Sequence, residues 1–298
     1  MTGELKVRTV LGDMDPAELG VTNAHDHLFF ASKLLPGQEL DDPEAAMEQL
    51  LRFRAAGGTA LVQWTPHGLG RRMPELARIS RETGVHLVGA TGLHRAEHYA
   101  ALGGLVDDLA GVFVEDLTGD TAPRAGLIKV AGAFHTIDAH ARLTMTAAAV
   151  AHQETGAPIA VHLELGTAAL ETVDLLCGKL EISPDKVILG HLNRNPDAPL
   201  QRKIAETGVF LGFDGPSRAN HATDWRLFDG LEALVEAGHG GQILLGGDTT
   251  TAAARFQPGA SYLLTTLAPR LTKLLGGDVV TAMLVANPAR AFATSWLK

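Results

Sequence analysis

Apolar residues in this chain follow two alternating rhythms. Short runs rich in valine, isoleucine and leucine are separated by longer segments in which apolar positions recur every three or four residues, and the pair repeats about eight times. The strand-like runs are LGVTNAH (19–25), TALVQWT (59–65), VHLVGAT (85–91), AGLIKVA (125–131), PIAVHLE (158–164), KVILGHL (186–192), GVFLGFD (208–214) and QILLGGD (242–248). Several follow a turn-forming glycine or proline, as in ETGV, ETGAPIA and ETGVF, the punctuation expected where a helix stops and a strand begins. Between the runs, DPEAAMEQLLRFRAAG offers Asp42 as a cap and Pro43 in the first turn, and LFDGLEALVEAG reads as a further amphipathic helix.

Runs that are apolar on both faces imply a parallel sheet covered by helices. Eight of them in 298 residues predict an α/β fold, a closed TIM (β/α)8 barrel. No G-x-G-x-x-G or P-loop pattern follows a strand, which argues against an open doubly wound sheet. No linker, low-complexity tract or shift in composition divides the chain, so one domain over residues 1–298 is expected.

Composition narrows the function classes. With 46% hydrophobic and 20% charged residues the chain can bury a large core. A formal net charge of −9 argues against nucleic acid or an anionic membrane as the main partner, and leaves a small molecule. Cys177 is the only cysteine, which excludes an internal disulfide and any cysteine-rich zinc site and fits a reducing compartment. The first twenty residues contain scattered acids and no apolar leader, and no window reaches the length of a membrane span, so a cytoplasmic protein is expected.

In a barrel of this kind the active site lies at the C-terminal ends of the strands. His25 and His27 stand one residue apart at the end of the first run, and on an extended strand their side chains share a face, with Cα atoms roughly 6.5 Å apart. Lys129, His162, His191 and Asp248 occupy the ends of four further runs. A single buried imidazole such as His162 is usually a core or rim histidine with a hydrogen-bond partner. Six metal-competent or ionisable groups at equivalent strand ends point instead to a metal site. Lys129, between Leu127, Ile128 and Val130, must snorkel, pair with an acid, lose its proton or be chemically changed. A neutral amine there can take up carbon dioxide as a carbamate, which supplies two anionic oxygens. Nitrogen and oxygen donors suit zinc, with manganese, cobalt or iron as alternatives.

Together with ELGVTNAHDHLFF, TPHGLGRR, ISRETGVHLVGATGLH, RAGLIKVAG, VHLELG, VILGHLNRNPD, ILLGGD and NPARAFA, these residues make the chain resemble the phosphotriesterase-related branch of the amidohydrolase superfamily over nearly its whole length. The resemblance implies two divalent metals. His25, His27 and Asp248 would hold the more buried ion and His162 and His191 the more exposed one, with a carboxylated Lys129 and a hydroxide between them. Asp248 would also be catalytic, taking the proton of the attacking water and passing it towards the leaving group. A homodimer is implied as well. Asp26 stands where many relatives carry Glu, and Arg72 follows GLGR where an acid is common. The segments HRAEHYAALGGLVDDLAG and TTTAAARFQPG are shorter and more polar than in relatives that open acyl-homoserine lactones, which speaks against a long acyl chain.

The expected reaction is hydrolysis of lactones or other carboxylic esters, with incidental organophosphate triester activity; hydrolysis of an N-acyl amide is the alternative. Arg95, Arg218 and Arg255 follow the third, seventh and eighth strands and are expected at the rim, where they would hold an anionic group of the substrate. Tyr99 is a candidate to orient a carbonyl, His94, His98, His135 and His221 are candidate pocket residues, and Trp64 and Trp225 are candidate apolar walls.

Overall fold

The computed structural model describes residues 3–99, 107–120, 123–214 and 221–297. Each of the eight apolar runs forms a strand: β3 (Thr22–Asp26), β4 (Ala60–Gln63), β5 (His86–Val88) continuing as β6 (Ala90–Gly92), β7 (Leu127–Ala131), β8 (Ile159–His162), β9 (Val187–Gly190), β10 (Phe210–Asp214) and β11 (Ile243–Gly246). All neighbouring pairs run parallel. The third run is interrupted at Gly89, whose carbonyl turns aside to accept from Gly126 N at 2.9 Å. The circle closes between the last strand and the first, where Gly247 N and Asp248 N both donate to His25 O at 2.8 and 3.0 Å. A Cβ on Gly246 would lie 2.7 Å from both Cβ and O of His25, so only glycine permits this seam.

Strand alternation divides the apolar residues into two layers. Val62, Leu127, Ala160, Ile188, Phe210 and Leu244 point inward with Ala24 and Trp64. Leu61, Ile128, Val130, Val161, Leu189, Leu211 and Leu245 point outward under the helices. Those helices include Pro43–Ala55, Met73–Thr83, Leu109–Thr118, Ala139–Thr155, Ala198–Ala205 and Leu227–Glu236. Four of them begin at an aspartate whose carboxylate accepts first-turn amides: Asp42, as expected, and Asp108, Asp138 and Asp197.

One feature was not expected. β1 (Lys6–Thr9), β2 (Gly12–Met14) and β12 (Ala293–Thr294) form a small antiparallel sheet in the order β12-β1-β2. Val7, Leu19 and Phe292 from this region are fully buried against the inward layer and plug the N-terminal mouth of the barrel. These strands are only two to four residues long; β1 and β2 form a local hairpin, whereas β1 and β12 pair across the whole chain. The opposite mouth opens on the strand ends that carry the polar residues.

Candidate metal centre and active-site cavity

At the open mouth lies a cavity of about 270 Å³ whose walls include all six expected ligands, His25, His27, Lys129, His162, His191 and Asp248. The ligand atoms of His25, His27 and Asp248 lie within 4.8 Å of one another, and all three residues are buried. Asp248 Oδ1 is 3.5 Å from Nε2 of each imidazole. The far nitrogens are held from behind: His25 Nδ1 is 2.7 Å from Asp214 Oδ1, and His27 Nδ1 is 2.7 Å from Thr65 Oγ1, whose own proton goes to Phe29 O. Both rings therefore carry their proton on Nδ1 and present a lone pair at Nε2.

His162 and His191 form the second half, with ring centroids 4.4 Å apart. His162 Nε2 is 2.9 Å from Glu164 Oε2, which leaves Nδ1 for other use, and His191 Nδ1 contacts Asp214 Oδ2. His191 and Asp248 both adopt left-handed backbone, with φ of 66° and 50°. For side chains of this kind such angles cost on the order of 1–3 kcal/mol each and persist where surroundings impose them.

Lys129 is almost completely buried on the inward face of β7 and, among the described residues, has no hydrogen-bond or ion-pair partner. Burial pushes its pKa down to about 7, with the charge of Asp248 opposing and that of Arg95 assisting. Burial likewise lowers His27 to about 4 and takes His162 well below the usual imidazole value. For Asp248 burial works against ionisation, yet the charges of His191, Arg194 and His25 together outweigh it and hold the carboxyl below its usual range. Burial thus favours the neutral forms of His27, His162 and Lys129, while Asp248 stays ionised, as a cation requires.

The donor set fits a metal ion. A four-coordinate zinc with bonds of about 2.0–2.1 Å places neighbouring ligand atoms about 3.3–3.4 Å apart. That is close to the 3.5 Å seen from Asp248 Oδ1 to either Nε2. A deprotonated Lys129 without a partner supplies the place for a further anionic ligand.

The expected substrate residues divide. Arg95 lies on the cavity wall, but its guanidinium pairs with Glu97 at 2.8 Å and Glu164 at 3.0 Å. Arg255 is not at the rim: it is 3% exposed and donates to Leu28 O at 2.8 Å beneath the first loop. Tyr99 is not aimed at a substrate either, because its hydroxyl accepts from His94 N at 2.8 Å and donates to His67 O at 3.0 Å, bracing the loop after β6. Arg218 and the side chain of His221 lie outside the described residues. His94 and His98 line the cavity, stacked at 4.2 Å, and His94 Nδ1 is buried with no protein partner. His135 faces a separate surface hollow with Arg142 and Glu171. Trp64 is buried and stacks on His25 at 3.9 Å, whereas Trp225 is 63% exposed.

Four contributors were not expected from sequence. Asp214 ends its strand as Asp248 nearly does, and the strand-end rule applied to GVFLGFD would have found it. Arg194 follows His191 in a short helical turn and pairs with Asp248 Oδ2. Glu164 and Thr65 hold His162 and His27, two of the expected ligands, and carry no periodic signal. Asp26 points away from the cavity; it accepts from Asn23 Nδ2, His27 N and Thr249 N at 2.6, 2.8 and 2.9 Å, clamping the seam, and burial raises its pKa to about 6.

A profile described as the Phosphotriesterase family matches residues 5–292. A phospho-furanose lactonase of Mycoplasmopsis synoviae is 30% identical, over 96% of this chain and 91% of that one. The human N-acetyltaurine hydrolase is 26% identical, over 95% and 96%. Among solved structures, a lactonase from Listeria monocytogenes superposes with a TM-score of 0.88 at 28% identity, over 96% of this chain and 98% of that one.

Proposed function

Because the chain belongs to the phosphotriesterase family and is a hydrolase of that family, we propose that it opens small lactones with a pair of divalent cations, zinc by default. The observation that carries this reading is the convergence of His25, His27 and Asp248 beside an unpartnered, buried Lys129 in one cavity. His25, His27 and Asp248 would hold the deeper cation, and His162 and His191 the outer one. Lys129, whose pKa burial brings down to about 7, would add carbon dioxide at Nζ with loss of one proton, giving a carbamate as a further anionic ligand. Such cations would supply Lewis acidity to the scissile carbonyl and lower the pKa of the attacking water.

The protein's own groups do the rest. Asp248, kept ionised by Arg194 at Oδ2, accepts a proton from the attacking water and returns it to the leaving oxygen. Phe30, Leu34 and Leu35 form an apolar wall, and His94, His98 and Arg95 a polar one. About 270 Å³ accommodates a compact ring. In a lactone the leaving alkoxide stays tethered to the acyl part, which suits so small a space. The phospho-furanose lactonase relative and the place of Arg95 support a substrate with an anionic arm. Arg95→Ala should then raise KM for phosphorylated lactones more than for neutral ones.

The same site serves an aryl ester or, incidentally, a phosphotriester, since a polarised oxygen and an activated water suit both reactions. Amide cleavage is the second reading, supported by the N-acetyltaurine hydrolase relative; the departing amine then needs its proton from Asp248. A homodimer is proposed from family resemblance, and a cytoplasmic location from the single cysteine; among the described residues no helix is long and apolar enough to cross a membrane. The test is turnover of a panel of sugar lactones, aryl esters and N-acyl compounds, before and after chelation and on restoring zinc, manganese or cobalt. Chelator-sensitive turnover strongest on lactones is expected; activity on N-acyl compounds alone would replace the first reading by the second.

A further inference from the structure

Each expected imidazole ligand is steadied by a group behind it, and one of those groups is shared. His27 has Thr65 and His162 has Glu164. His25 and His191 both have Asp214: Oδ1 lies 2.7 Å from His25 Nδ1, and Oδ2 contacts His191 Nδ1. Asp214 is the last residue of β10, 1% exposed, in the inward register of Phe210 and Gly212. An ionised carboxylate only accepts hydrogen bonds, so it holds both rings in the Nδ1–H tautomer with Nε2 free.

We infer that Asp214 is a positioning residue that ties the two cation positions together, because its single carboxylate sets the orientation of one ligand in each. The inference rests on the two-cation reading above. It follows from the register: His25 belongs to the deeper group and His191 to the outer one, their ring centroids are 5.0 Å apart, and the same carboxylate spans both. A cation on His25 Nε2 polarises its Nδ1–H, strengthens the bond to Oδ1 and so fixes the plane from which Oδ2 aligns His191. By reciprocity the outer cation does the same for the deeper one. The ligand atoms of His25, His191 and Asp214 also lie within 4.8 Å of one another, but the carboxylate already contacts both Nδ1 atoms directly, so Asp214 supports the rings and leaves no place for an ion between them. The crevice it shares with Trp64, Ile188, Gly212 and Leu244 has no room for a water-sized sphere, and Trp64 closes His25 on that side.

The test uses the full chain stripped of metal and titrated with zinc by calorimetry, with metal content per chain measured afterwards. Wild type should take up two ions in coupled fashion. Asp214→Asn keeps the shape but offers one acceptor in place of two; it should weaken both binding steps by about 10–100-fold and uncouple them. Glu164→Gln should weaken one step only. The visible spectrum of the cobalt-loaded protein should change for both sites in Asp214→Asn and for one in Glu164→Gln. Long-range nitrogen–proton spectra of the unaltered metal-free protein should show His25 and His191 protonated on Nδ1, a readout that needs no variant to fold. Unchanged binding in Asp214→Asn, weakening of one step alone, or an Nε2–H tautomer at either ring overturns the inference while leaving the two-cation reading in place. Wild type that binds no metal overturns both.

Discussion

The two mouths of this barrel are built from the same strands and solve opposite problems. At the N-terminal mouth Val7, Leu19 and Phe292 are fully buried on Leu127, Ile188 and Phe210, and the space is filled by side chains with no polar atoms. At the C-terminal mouth His25, Lys129, His162 and Asp248 are buried to a similar degree but around a cavity, with Asp214 behind the imidazoles, two of the expected ligands, His191 and Asp248, in left-handed backbone and, among the described residues, a lysine without a partner. Packing at the first stabilises the fold. At the second, desolvated polar groups and strain oppose folding and are kept because a cation can use them.

The comparison breaks first on catalysis. Replacing His27 or Asp248 by Asn should lower turnover by about 10³-fold or more, roughly 4 kcal/mol at the transition state, and reduce metal content, with the melting temperature of the metal-free protein within a few degrees of wild type. If these variants unfold instead, the open mouth is structural after all.

The reverse pattern is expected at the plug. Phe292→Ala should cost about 3–5 kcal/mol in denaturant unfolding, while kcat of the folded fraction stays unchanged.

Lys129→Met sharpens the contrast, because one substitution should move stability and activity in opposite directions. It removes a buried, unpartnered amine, so the metal-free protein should gain about 1–2 kcal/mol while metal uptake and turnover are lost. A loss of stability would mean that Lys129 is paired in the metal-free fold.

A further contrast is in pH dependence. His27 has a folded pKa of about 4 against an ordinary 6.5, a depression caused chiefly by burial. Between those values the unfolded chain binds more protons, so this contribution is fully present above pH 6.5 and is lost as pH falls towards 4. Unfolding curves of the metal-free protein should show this slope. His27→Asn should flatten it, and Phe292→Ala should displace the curve without changing its slope.

Much of this was legible along the chain. Short apolar runs located all eight barrel strands within about three residues, since a strand buried on both faces is apolar throughout. The helix caps were legible where Asp42 precedes Pro43. The six expected ligands were singled out because a barrel gathers strand ends, so equivalent position in the repeat stands in for proximity in space, and the fold brings all six to one cavity. The roles of Tyr99 and Arg255 were misread because a loop residue carries no register. Only the folded path shows that the hydroxyl of Tyr99 is taken by His94 N and His67 O, and that Arg255 is spent on Leu28 O. The small sheet was missed because β1, β2 and β12 are only two to four residues long and, beyond the β1–β2 hairpin, its other pair joins opposite ends of the chain.

The sequence by itself determined the barrel, its strand order and the chemical kinds of donor at its open end, because these follow from local periodicity and from which residues end each strand. Only the tertiary structure decided which nitrogen of each histidine faces the cavity, that Asp214 serves two rings and that Arg194 meets Asp248. Those depend on atoms brought within hydrogen-bonding distance from residues up to 189 positions apart, and hydrogen bonds fall off too steeply with distance and angle to be read from spacing alone.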